Sequence, residues 1–148
     1  MDLINHVKNV LDSFEKLTGK KIIKRSSPVI DYKKIENGKF VLVSHNTEKD
    51  PILNYGNAFA LNLWEMDWNS FIKTPSRKTA EEDKREKRKE MLEIVTQQGY
   101  YDNYEGIRIS SLGKRFLIKD AIIWCVFDEN GKKIGHAAFF DKIEYLSL

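Results

Sequence analysis

Apolar residues recur three or four positions apart at the start of the chain, at Leu3, Val7, Val10, Phe14 and Leu17, with Ile4 and Leu11 beside them. That spacing predicts an amphipathic helix over 2–18, and Gly19 is placed to stop it. A basic, irregular connector follows from Lys20 to Gly38, with a short helical turn expected near Tyr32 to Ile35. Phe40 to Ser44 is a continuous β-rich run and predicts a buried strand. Asn46 to Asp50 is a polar turn, and Ile52 to Tyr55 predicts a second, shorter strand. Asn57 then heads a helical stripe of Ala58, Leu61 and Trp64. Its short amide side chain suits it to accept from a free N–H of the first helical turn. Another short helical piece is expected over Asp67 to Thr74, broken by Pro75 to Lys78. Thr79 and Glu82 have capping-box spacing, which predicts a long helix from Thr79 to Gln98, stopped by Gly99.

Three strands are expected to close the chain: Tyr100 to Ser110, Lys114 to Phe127, and Lys133 to about Phe140, with Ile143 to Leu146 beyond. Asn130-Gly131 is a strong hairpin signal. Simple alternation along the middle strand sends Phe116, Ile118, Ile122, Trp124 and Val126 to one face. It sends Leu117, Ala121, Ile123, Cys125 and Phe127 to the other. A strand apolar on both sides needs cover on both. The central helices supply one cover. The N-terminal helical stripe, or a second copy of the protein, supplies the other. Strands and helices fall on separate stretches, so the fold class is α+β on an antiparallel sheet.

Size and composition narrow this further. The chain has 148 residues, 41% hydrophobic and 11% aromatic, enough for a single domain with a real core rather than a disordered segment. The division expected is 1–38 as N-terminal helix and connector, and 39–148 as the compact domain. A formal charge of +3, with Lys and Arg interleaved with Asp and Glu, argues against a dedicated nucleic-acid surface. The charged run from Glu81 to Glu90 alternates in sign and reads as a solvated helix face. A lone cysteine, Cys125, gives no sign of an oxidising compartment. The first turns carry Asp2, Asn5, His6 and Lys8, so no secretory leader is expected. No apolar run approaches bilayer length. The expectation is a cytoplasmic protein.

The element order matches the PAS fold, a five-stranded antiparallel sheet with helices inserted between strands 2 and 3, here with an added N-terminal amphipathic helix. A closer resemblance lies in Ser44-His45, Asp50-Pro51-Ile52-Leu53-Asn54-Tyr55-Gly56-Asn57, Pro75-Ser76-Arg77, Gly106-Ile107-Arg108-Ile109-Ser110, Gly113-Lys114-Arg115-Phe116 and Ala121-Ile122-Ile123-Trp124. Together with Leu17-Thr18-Gly19 ahead of them, these resemble the MEKHLA domain, a PAS-related family with stand-alone bacterial members. The resemblance implies a sensory or interaction role and no particular ligand. Haem-binding PAS domains usually take their axial histidine from the long helix, which here has none. Flavin sensors that form a covalent adduct use a cysteine in the helical segment, whereas Cys125 lies on a strand. Haem and a flavin adduct are therefore not expected, non-covalent flavin stays open, and the cofactor is left unknown.

Three histidines, His6, His45 and His136, show no metal-ligand spacing, so no metal site is expected. His45 is expected to cap a turn and His136 to pack at a sheet surface. Arg77, just before a helix start, is suited to an anion contact. Arg108 shares a strand face with Tyr104 and Asp102. An internal salt bridge from Arg108 to Asp102 or Glu105 is the preferred reading, with an acidic-ligand lining as the alternative. The ligand-binding candidates are His45, Asn54, Tyr55, Arg77, Tyr104, Arg108 and Trp124. No catalytic constellation or phosphate-binding loop is visible. The function expected is a sensory module that binds a small apolar or acidic ligand and acts through a partner or as a homodimer via the N-terminal helix and outer sheet face. It is expected to have no catalytic activity. The alternatives are a pure dimerisation module without ligand, or a small enzyme using His45 with Asp50. No output domain is expected beyond Leu148, so signalling is expected to run through a partner.

Overall fold

The computed structural model describes residues 1–147, and the fold is α+β. Helix α1 spans Leu3–Thr18, capped by Asp2 and ended by Gly19 in the left-handed conformation that glycine adopts without strain. The connector holds a full helix, α2 (Pro28–Glu36), where a single turn was expected. Ser27 caps it and Pro28 occupies its first turn, a pairing that starts helices well. Strands β1 (Val41–His45) and β2 (Leu53–Gly56) precede the short helices α3 (Ala58–Trp64) and α4 (Trp68–Phe71). Two 3-10 turns, Ser76–Thr79 and Glu82–Lys84, then lead into α5 (Arg85–Gln98). The expected capping box does not form. Thr79 Oγ1 donates to the Ser76 carbonyl, and the helix begins six residues later. Strands β3 (Tyr100–Ile109), β4 (Arg115–Phe127), β5 (Lys133–Phe140) and β6 (Lys142–Tyr145) complete the chain.

The sheet is antiparallel in the order β2-β1-β5-β4-β3. The short β6 adds a sixth strand. It pairs with the first half of β4, from Phe116↔Tyr145 to Lys119↔Lys142, beyond the stretch that β5 covers. Asp120, with φ 52, interrupts β4 between these two pairings. This bulge shifts the parity of the strand. Phe116 and Ile118 therefore share the front face with Ala121, Ile123 and Cys125, while Trp124 and Val126 face the back. The simple alternation read from the sequence is correct on either side of Asp120 but fails across it. Asn103, φ 54, does the same in β3 and brings Tyr101 and Tyr104 onto one face.

Two apolar cores result. The front core lies between the sheet and α3, α4 and α5, and centres on Trp64, Phe71, Phe116 and Phe140. The back core lies between the sheet and α1 and α2, and centres on Phe14, Tyr55 and Trp124. The indole N–H of Trp124 donates to the Val10 carbonyl at 3.1 Å, and Phe14 meets its ring edge-on at 4.7 Å. The apolar stripe of α1 is thus spent on its own sheet. Arg25 fastens the cover by reaching Asp12, Glu15 and Asp31. Asp31 is only 1% exposed. Burial alone would raise its pKa, but the bonds from Arg25 and the Ser26 N–H outweigh that and hold it below the usual range. No helix among the described residues is long and apolar enough to cross a membrane.

Candidate functional site

Between the front face of the sheet and the helical layer lies a partly open cavity of about 60 Å³. Its floor is built by residues of β1, β3, β4 and β5, and its roof by Trp64, Phe71, Met91 and Leu92. The period-2 geometry of the strands sends Val43 and His45 to this side, and Leu42 and Ser44 to the other.

One end of the cavity is polar. His45 and His136 are register partners on β1 and β5, and their rings meet edge-on with Nε2 of His45 2.9 Å from Nδ1 of His136. Ser76 Oγ lies 2.8 Å from His45 Nδ1 and also accepts an N–H of Arg88. His136 Nε2 is 3.3 Å from Thr96 Oγ1, which donates to the Leu92 carbonyl at 2.9 Å. One assignment of protons satisfies every bond with both rings neutral. Arg88 donates to Ser76, Ser76 to His45, His45 to His136, His136 to Thr96, and Thr96 to the helix. The neutral state has a physical cause. Burial pushes His45 down to about 2 and His136 to about 4, with Arg88 and Lys133 opposing a further positive charge at both.

Gly135 makes this pair possible. Its φ is 154°, and a Cβ there would fall 1.9 Å from the His45 carbonyl oxygen. Gly135→Ala is expected to push the end of β1 off β5 and to cost about 2–4 kcal/mol, read as a fall in urea midpoint.

The other polar groups are Arg108 and Tyr104 on β3. Arg108 is 6% exposed. Its guanidinium lies 5.5 Å from the Tyr104 ring centroid and donates to the Tyr104 hydroxyl at 3.3 Å and to the Ile107 carbonyl at 2.9 Å. The salt bridge expected with Asp102 or Glu105 is not made; the bulge at Asn103 changes which residues share its face.

Of the seven residues singled out from the sequence, the structure brings three together at the cavity: His45, Tyr104 and Arg108. Asn54, Tyr55 and Trp124 lie behind the sheet. Asn54 accepts from Ser44 Oγ at 2.5 Å, Tyr55 donates to Glu36 at 2.8 Å, and Trp124 bonds α1. Arg77 is 45% exposed and pairs with Asp50 at 3.2 Å outside the cavity. Its 3-10 turn is too short and too irregular to present a row of free N–H groups. Sequence reasoning missed Arg88, Ser76 and His136. Arg88 carried a usable signal: it stands three residues before Met91 and seven before Val95, on the one apolar face of α5.

Among the described residues, no three His, Cys, Asp or Glu side chains converge as a metal site would require. Cys125 is buried on β4 with its thiol against the Val95 carbonyl.

Solved structures of the same fold are PAS and light-oxygen-voltage domains. A PAS domain from Colwellia psychrerythraea is 15% identical with a TM-score of 0.64, over 77% of this chain and 92% of that one. An RNA-binding light-oxygen-voltage receptor is 12% identical with a TM-score of 0.65, over 80% of this chain but only 36% of the receptor. A light-oxygen-voltage domain studied with a flavin analogue is 14% identical with a TM-score of 0.61, over 78% of this chain and 84% of that one. At such identities the likeness is one of fold. None of the curated proteins is similar in sequence. The profile of the MEKHLA domain, however, matches residues 4–145, from α1 to the last strand, and the chain belongs to that PAS-related family.

Proposed function

We propose that the protein is a sensory module that binds a small ligand between the front of the sheet and α3–α5, and reports its presence to a partner protein or a second copy in the cytoplasm. The observation that carries this is the cavity itself. It sits within the front apolar core, yet a polar cluster faces it that an apolar core would not need. Within the division read from the sequence, residues 39–148 hold the ligand and residues 1–38 cover the back. Since the apolar stripe of α1 is buried, a second copy would meet its polar outer face.

A flavin, the group named for the neighbour studied with a flavin analogue, does not fit. About 60 Å³ holds roughly four to six water-sized groups. A three-ring isoalloxazine is several times that size. The reading is also non-catalytic. Ser76, His45 and His136 form a hydrogen-bonded row like that of a hydrolase. But a base held down near 2 cannot draw a proton from a serine at neutral pH, and Ser76 is buried with Arg88 on its oxygen.

Native mass spectrometry of freshly purified protein, with an absorbance spectrum, tests the proposal. The expected result is a small added mass without visible absorbance, lost in Ala121→Leu, which fills the cavity floor. A bare chain whose stability no small molecule alters would overturn it.

A further inference from the structure

The cavity presents hydrogen-bond donors and positive charge, and no negative charge on its walls answers them. Arg88 and Arg108 both line it, and no Asp or Glu does. Neither arginine makes a salt bridge among the described residues. Their partners are neutral: Ser76 for Arg88, and Tyr104 and a strand carbonyl for Arg108. The carboxylate that acts on Arg88, Asp50, is already held by Arg77. The two guanidinium groups are close enough to disfavour each other, and burial and that repulsion both push Arg88 down. Trp64, 2% exposed, also lines the cavity, and its indole N–H is the one buried side-chain polar atom without a partner among the described residues. Water in the cavity would satisfy hydrogen bonds but would leave the buried charge of Arg108 and the half-buried charge of Arg88 unneutralised.

We infer that the ligand is a small carboxylate, its charge held between Arg88 and Arg108 and its oxygen in reach of Trp64. This rests on the sensory reading above. The space admits about four to six non-hydrogen atoms, the size of acetate to pyruvate. A guanidinium matches a carboxylate in a planar, two-pronged contact. The remaining walls, Val43, Met91, Ile118, Ala121 and Phe140, are apolar and suit a methyl or short chain better than a fourth phosphate oxygen. His45 and His136 are satisfied by their own row of bonds and leave the charge to the arginines.

Calorimetry and thermal unfolding of the full chain with acetate, pyruvate, citrate and inorganic phosphate, against sodium chloride at equal ionic strength, decide it. Acetate or pyruvate is expected to bind one per chain, saturably, and to raise the unfolding midpoint, while citrate does not. Arg88→Gln and Arg108→Gln should each weaken binding at least about tenfold. Trp64→Phe, which keeps the ring, should weaken it less. Without ligand, both glutamine variants should unfold at or above the wild-type temperature, because each removes a positive charge that no carboxylate on the cavity wall offsets. If the arginines serve structure alone, both variants unfold earlier, and that result overturns the inference. So does phosphate binding without carboxylate binding, or no saturable carboxylate binding by the wild-type chain. A neutral molecule found by native mass spectrometry, lost in Ala121→Leu but kept in both glutamine variants, would sink the carboxylate and leave the sensory role standing.

Discussion

Replacing Asn57 with alanine is expected to cost roughly 3–5 kcal/mol, the largest effect of any single polar substitution in the molecule. Asn57 is fully buried at the junction of β2 and α3. Its Oδ1 accepts the Ala60 N–H that starts α3 and also the Leu42 N–H of β1, both at 3.2 Å. Its Nδ2 donates to the Ile35 carbonyl at the end of α2 at 3.0 Å, and to the Phe40 carbonyl at 2.8 Å. One side chain thereby ties α2, β1 and α3 together. Alanine would leave the buried Ala60 and Leu42 N–H groups with no partner and would strip the Phe40 carbonyl of its bond, while the Ile35 carbonyl keeps only the Gly38 N–H at 3.2 Å. Against a usual total of 5–15 kcal/mol, that is a large fraction. The companion variant is more telling. Aspartate is as good a helix cap as asparagine, so Asn57→Asp would be nearly neutral if the residue only capped α3. Here it would set a carboxylate against two carbonyl oxygens and is expected to destabilise at least as much as alanine. Urea unfolding of both variants at neutral pH measures the difference.

Asn57 also shows how far the sequence could be read. Its place before an apolar helical stripe identifies it as a cap. Its other three bonds come from residues 15 to 22 positions away, and no local pattern announces them. The same division runs through the molecule. The helices of residues 3–18 and 58–64 and the strands are legible because burial imposes a period on them. The parity of β4 is not, because a single residue at Asp120 in a left-handed conformation reverses it, and aspartate gives only a weak hint of that. At the site, His45, Tyr104 and Arg108 were legible as polar residues within apolar strands. Arg88 was hidden in a run of alternating charges, where charge drew attention away from helical phase. Ser76 and His136 join the site only because the 3-10 turn and β5 both come up against His45. That Trp124 and Tyr55 lie in the back core, away from the cavity, was hidden for a related reason: an aromatic on a strand apolar on both faces does not declare its side.

The second large effect is acid lability. The native chain holds His6, His45 and His136 neutral: burial pushes His6 and His136 down to about 4 and His45 to about 2. In the unfolded chain each returns to about 6.5. Below that value the unfolded state binds protons that the native state refuses, so stability rises with pH across the interval from about 4 to 6.5 and is complete above it. Each histidine contributes a slope of up to about 1.4 kcal/mol per pH unit in that interval. Three together, from pH 7 to pH 5, approach the whole stability of a small domain, on the order of 6 kcal/mol. Carboxylates held down in the native state, such as Asp31, add their loss only at lower pH. The expected result is a urea midpoint that is flat above pH 7 and falls steeply to unfolding near pH 5. His6 stands apart from the other two, bonded to Ser44 behind the sheet at 2.8 Å. His6→Gln keeps a polar group at Ser44 and should remove one third of the slope. His45→Gln with His136→Gln should remove the other two thirds. A wild-type midpoint that does not change between pH 7 and pH 5 would mean that the row from Arg88 to Thr96 accepts a proton at no cost, and the neutral pair would have to be abandoned.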